Sequence, residues 1–262
     1  VQVGPFKRFM EYIDHGHKSL LCKTTLCKNK KTAADTTHKK CNRGAMNFWK
    51  LLVFSALFIN ILSSPVLANF KEGVAAYEAG NVSLAVIEFR ASAEEGHADS
   101  QFNLALMYEQ GIGVSKDERE AIAWYQKAAQ QGNSNAQYNL AVLYENGRGS
   151  DVNFEQAHQW YRKAAVQGDA LAVGNLGMLY LCGQGVTEDK VAGLALLLLS
   201  VTMDNSPENH AKQNVALIKG LTPEVIAAAQ TLSLEMGKDG NLLVALDRYL
   251  KNTESENTDA LK

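Results

Sequence analysis

The sequence predicts an all-α fold, a stacked array of antiparallel helix pairs, and three observations predict it. The first is an internal repeat. Residues 121–156 laid over residues 157–192 without a gap coincide at 15 of 36 positions, among them Trp124/Trp160, Tyr125/Tyr161, Asn139/Asn175 and Tyr144/Tyr180. Unrelated sequences of ordinary composition would share about two. A third copy lies one period earlier, through Ala85, Ala93, Gly96, Asn103, Leu104, Ala105, Tyr108, Gly111 and Gly113. The second observation is helical periodicity within each copy. Ala121, Trp124, Tyr125, Ala128 and Ala129 recur at the spacing of one helix face. The third is punctuation: Gly132 and Gly147 follow the apolar runs where a left-handed C-cap is wanted, a conformation open to a residue without Cβ. A period of this length is the signature of a solenoid.

Taken in order, the chain begins with a basic leader. Residues 1–45 carry ten Lys/Arg against three Asp/Glu, whereas residues 69–262 carry 15 against 25. The acidic body argues against nucleic acid as a partner, because phosphates require a basic stripe. Met46 opens a segment with Lys50, an apolar run over 51–62, and then Ser63, Ser64, Pro65, Val66, Leu67 and Ala68. A basic start, a dozen apolar residues and small residues before a cut site form a secretory signal peptide, so residues 46–68 are expected to direct export and Asn69 to begin the mature chain. A membrane anchor is the competing reading. It requires about 20 apolar residues, and Asn60 and Pro65 interrupt the run too early. On this reading residues 1–45 are an untranslated or disordered leader, and the product is periplasmic or secreted with no span after cleavage. Cys22, Cys27, His38 and Cys41 are too loosely spaced for a zinc site, so no metal or other cofactor is expected.

From 69 to 205 the array is expected to run helix after helix. Phe70, Ala76 and Tyr77 and then Ala85 and Phe89 mark a diverged first pair. Helices over 120–131 and 134–146 form the clearest one. Small residues at Ala105, Ala141 and Gly177, and at Ala121, Ala157 and Gly193, allow neighbouring helices to approach closely. One pair buries only part of its apolar face, so several must stack before burial outweighs chain entropy. Residues 193–201 are the most apolar stretch, as expected of a helix covered on both sides. Ser206-Pro207-Glu208 and Thr222-Pro223-Glu224 each place an N-cap, a first-turn proline and an acid in order, predicting helices over about 207–219 and 223–236. With a short run over 242–250 they would cap the array through residue 251. Residues 252–262 are polar and read as a disordered tail.

The pattern A-x-x-W-Y-x-K-A-A-x-x-G…A-x-x-N-L-G/A-x-L-Y-x-x-G-x-G, carried by residues 85–192, resembles the Sel-1-like repeat, a relative of the tetratricopeptide repeat. The resemblance implies a right-handed α/α superhelix and the role of a non-catalytic adaptor that binds proteins, in bacteria often at the cell envelope or against host proteins. It also implies a concave groove lined by the first helix of each pair. The matching positions are Asp99, Phe102, Leu106 and Glu109, then Asn135, Tyr138, Val142 and Glu145. In the third repeat they are Leu171, Gly174, Met178 and Leu181, which look like covered surface. Lys and Arg are absent from all these positions, unlike in groove types that clamp a C-terminal carboxylate. An apolar peptide with some positive charge is the expected ligand, met by aromatic and aliphatic side chains with an acidic rim. The alternative role for these side chains is to complete the helix–helix core.

Little else in the chain suggests chemistry. Gly111-Ile-Gly113, Gly147-Arg-Gly149 and Gly183-Gln-Gly185 follow helices and read as plain loops rather than phosphate cradles. His97, His158 and His210 lack ligand spacing, and Trp124 and Trp160 read as core. Some cysteine-rich relatives are described as β-lactamase-like, with a cysteine pair in nearly every repeat. Here only Cys182 lies in the body, so an enzyme is not expected. Cys182 itself reads as a small buried residue, or, if exposed, as a site for a disulfide-linked dimer.

Overall fold

The computed structural model describes residues 65–238 and 242–260, and these form eleven helices with no strand among them. In chain order they are α1 (Pro65–Glu78), α2 (Val82–Glu94), α3 (Ala98–Gln110), α4 (Glu118–Gln130), α5 (Ser134–Asn146) and α6 (Phe154–Val166). The rest are α7 (Ala170–Cys182), α8 (Lys190–Met203), α9 (Ala211–Leu217), α10 (Pro223–Lys238) and α11 (Leu242–Ala260). From α1 to α8 each helix packs on the one before and the one after, which is the architecture of an α/α solenoid. The basic leader, its three cysteines and most of the expected signal segment lie outside the described residues.

Local chemistry sets the ends of each helix. Asn81, His97, Asp117, Asn133, Asn153, Asp169 and Asp189 stand at the N-caps of α2 to α8, and each side chain accepts a first-turn amide proton. Gly111, Gly147 and Gly183 end α3, α5 and α7 in the left-handed conformation. Each following loop closes in the same way: the amides of Asp117, Asn153 and Asp189 donate to the carbonyls of Tyr108, Tyr144 and Tyr180.

The core is a column of small residues and rings. Ala105, Ala121, Ala141 and Ala157 are fully buried, as are Phe89, Tyr125 and Tyr161 at one-period intervals. The close approach expected of the small residues reaches its limit between α7 and α8. A Cβ added to Gly177 would stand 2.8 Å from the Gly193 carbonyl oxygen, and one added to Gly193 would stand 2.5 Å from the Leu181 side chain. Helix α8 is buried on both sides, between α7 and α10, as its apolar sequence predicts.

The C-terminal region departs from expectation in two places. Ser206-Pro207-Glu208 does not start a helix. The Asp204 carboxylate captures the Ser206 amide at 2.8 Å and its hydroxyl at 2.9 Å, so the serine closes a turn and α9 begins only at Ala211. Thr222 does cap α10, through its hydroxyl and the Val225 amide. Beyond it, α11 is far longer than the short run at 242–250. It continues through 252–260, the segment expected to be disordered. Burial of Leu243, Ala245 and Leu246 against the body anchors its first turns, and the helix propagates from there.

Candidate functional site

The eight expected groove positions lie at matching sites on α3 and α5, but they are not equally available to a ligand. Phe102 is buried, with its ring centroid 5.8 Å from that of Tyr125; Tyr138 is half-buried, 5.9 Å from Tyr161. Leu106 and Val142 are half-buried, as are Asp99 and Asn135. Asp99 accepts a hydrogen bond from Asn133 Nδ2 at 2.9 Å, so the cap of α5 also ties down the start of α3. On α7 the pattern is lost. Gly174 is buried against Ser200 and Ala211, and Leu181 fills the space above Gly193. The third repeat is covered there by the elements that follow it.

The acidic rim also changes on inspection. The Tyr125 hydroxyl donates to Glu109 Oε2 at 2.8 Å and accepts from Asn139 Nδ2 at 3.1 Å. Arg148, from the next Gly-x-Gly loop, reaches back to Glu109 Oε1 at 3.0 Å and to Glu118 at 2.8 Å. Glu109 is therefore paired within the wall and offers no free charge. Burial, followed by the Glu109 carboxylate, raises the Tyr125 hydroxyl well above the usual tyrosine range, so it stays a donor. One repeat on, Tyr161 repeats the contacts, donating to Glu145 and accepting from Asn175 Nδ2 at 3.0 Å. Gln184 stands where Arg148 did, and among the described residues Glu145 has no ion-pair partner. The negative character of the groove rests on Glu145 rather than on Glu109.

A ladder of glutamine amides, buried at Gln101 and Gln137, was not foreseen from the sequence. Gln101 Nε2 donates to the Ala93 carbonyl, and Gln131 Nε2 donates to Gln101 Oε1 at 2.7 Å. Gln137 and Gln167 repeat both bonds one period on, and Val173 ends the series. The recurrence of glutamine at 101 and 137 was the available signal.

The remaining candidates have structural positions. His97 caps α3, His158 lies edge-on to Tyr180 at 5.6 Å, and His210 faces Gln213. No group of three or more His, Cys, Asp or Glu is placed to hold a metal among the described residues. Gly149 and Gly185 press on the backbone at the starts of α4 and α6, so the Gly-x-Gly loops join one repeat to the next. Trp160 is buried, as its core reading expects, and Trp124 is half-buried; each is covered by a lysine (Lys127 at 3.6 Å, Lys163 at 3.8 Å), while the deepest positions belong to Tyr125 and Tyr161. Cys182 is exposed, contrary to the buried reading, and it is the last residue of α7. No helix among the described residues is long and apolar enough to cross a membrane.

Repeats joined by such loops and presenting a ridged wall of first helices define an α/α solenoid. A family model described as the Sel1 repeat matches three times in succession, at residues 98–133, 134–169 and 170–205, so that this stretch of the chain is a run of Sel1 repeats. The chain is similar to an "Exopolysaccharide production negative regulator" of Rhizobium meliloti (strain 1021), 42% identical over 60 residues, which are 23% of this chain and 22% of that one. A protein of the same description from Rhizobium leguminosarum bv. viciae is 43% identical over 58 residues, 22% of each chain. The match thus spans about a fifth of these relatives' length. Among solved structures, a Sel1 repeat protein from Oxalobacter formigenes superposes with a TM-score of 0.54 at 26% identity, over 75% of this chain and 90% of that one.

Proposed function

We propose that the chain is a non-catalytic scaffold, exported to the cell envelope, that holds a peptide or protein partner on the α3 and α5 faces. Sel1 repeats generally mediate protein–protein interaction. The observation that carries the reading is the half-buried strip of Leu106, Tyr138 and Val142 beside Glu145, a carboxylate without an ion-pair partner among the described residues. Apolar side chains next to one uncompensated acid suit an apolar segment bearing a positive charge. Export rests on the sequence of residues 46–68. The names of the two rhizobial relatives make control of exopolysaccharide production the first pathway to examine.

The test uses the chain expressed with its own leader, recovered from envelope extract with its partner. Val142→Asp and Tyr138→Ser should each abolish capture while leaving the melting temperature within a few degrees. Phe102 is unsuitable for this purpose because its burial would confound loss of binding with loss of fold. Capture unaffected by both variants, or a chain found only in the cytoplasm, would overturn the corresponding half of the proposal.

A further inference from the structure

Helix α11 does more than extend the C-terminal cap. It lies against α6, where Leu243, Val244 and Asp247 share a groove of about 460 Å³ with Gln159, Arg162, Lys163 and Val166. Arg162 holds both carboxylate oxygens of Asp247, at 2.7 and 2.9 Å. The chain thus displays what the second helix of a repeat accepts: an amphipathic helix with an apolar pair and, one turn later, an acid.

The same surface recurs two periods earlier, and among the described residues no helix of that kind covers it. Shifted by 72 residues, Gln159, Arg162, Lys163 and Val166 become Ile87, Arg90, Ala91 and Glu94 of α2. These four line a groove of about 530 Å³ that Val86 and Val114 complete. Ile87 is 61% exposed and Leu84 41%. The Tyr108 hydroxyl accepts a hydrogen bond from Arg90 at 2.8 Å, which fixes the guanidinium in place, and among the described residues Arg90 has no carboxylate partner. The intermediate repeat differs: Ala123, Gln126, Lys127 and Gln130 offer neither a large apolar side chain nor an arginine. The seat is therefore particular to α2 and α6 and is not a property of every repeat.

We propose that this face of α2 binds a partner protein through an amphipathic helix whose apolar pair covers Ile87 and whose carboxylate pairs with Arg90. Ile87 in place of Gln159 and Ala91 in place of Lys163 make the seat more apolar than its template. Glu94 in place of Val166 favours one basic group on the incoming helix. This site is separate from the α3 and α5 faces, so either proposal can fail without the other.

The test uses the whole chain and a fluorescein-labelled peptide with the sequence of residues 242–260, read by fluorescence anisotropy. The peptide should bind saturably. Ile87→Asp and Arg90→Glu should each weaken binding by about tenfold or more. Ile87 is exposed, so the melt of that variant should match the parent. A peptide carrying Asp247→Lys should recover affinity for the Arg90→Glu chain, which a merely structural effect of Arg90 would not produce. Absence of saturable binding overturns the proposal. So does binding that is lost more on Arg162→Glu than on Arg90→Glu, since the peptide would then be exchanging into the α6 seat.

Discussion

Arg148 Nη1 lies 3.0 Å from Glu109 Oε1 although 39 residues separate them along the chain, and the same guanidinium also holds Glu118. The pair joins the loop of one repeat to two helices of the repeat before it. Hydrogen bonds from Arg148 and then Lys116 hold the Glu118 carboxyl below the usual range. Arg148→Met should lower stability by about 1–2 kcal/mol, a charged hydrogen-bonded pair discounted for partial exposure. A double-mutant cycle with Glu109→Gln, read from urea melts, should return a coupling of about 0.5–1 kcal/mol. A coupling near zero would make the contact incidental.

Gly149 and Gly132 separate two reasons for glycine. Both have positive φ, +74° and +91°, but a Cβ on Gly149 would stand 2.5 Å from the Glu118 carbonyl oxygen, whereas one on Gly132 would meet nothing within 4 Å. Gly132→Ala should cost about 1–2 kcal/mol of backbone strain. Gly149→Ala should cost clearly more, because the loop must leave the start of α4. Equal losses in denaturant melts would refute the inter-repeat contact.

Asn103 is the member of the Asn103, Asn139, Asn175 series without its hydroxyl partner. Its Oδ1 is buried and unpaired, and one period before Tyr125 the chain has Phe89. Phe89→Tyr should place a hydroxyl where Tyr125 and Tyr161 have theirs. Those donate to Glu109 and Glu145, but Gly73 stands one period before Glu109. Here the hydroxyl proton is left to donate to Asn103 Oδ1, and stability should rise by about 0.5–1.5 kcal/mol. A fall in melting temperature would show that the ring, packed on Gly73, has no room for the oxygen.

His158 should make stability depend on pH. Burial, and then the charge of Arg162, pushes its pKa down to about 4, against an opposing pull from Asp247. In the unfolded chain the value is about 6.5. The unfolded state therefore binds the proton first as pH falls. The stabilisation is complete above about pH 6.5 and is lost progressively toward pH 4. After allowance for partial exposure it amounts to roughly 1–3 kcal/mol. His158→Gln should flatten that part of the melting-temperature profile. An unchanged slope would assign the pH dependence to other groups.

Much of the array was legible because its rules are local. Trp124, Tyr125 and Ala128 lie on one face by spacing alone, and Gly147 ends α5 by its own conformational freedom. The groove was legible only as positions: the sequence places Glu109 on the same face as Phe102, but only the structure pairs it with Tyr125 and Arg148. Ser206 misled because Asp204, two residues away, competes for the hydroxyl that a helix cap would use.

The sequence by itself determined the repeat, its period and the helices within it, since i+3 and i+4 neighbours and left-handed glycines act within one turn of chain. Only the tertiary structure decided which polar groups meet between repeats, that Cys182 faces solvent, and that α11 returns to Asp247–Arg162 contact with α6. Those outcomes depend on where stacked helices bring residues that are 30 to 85 positions apart, and no local spacing encodes that distance.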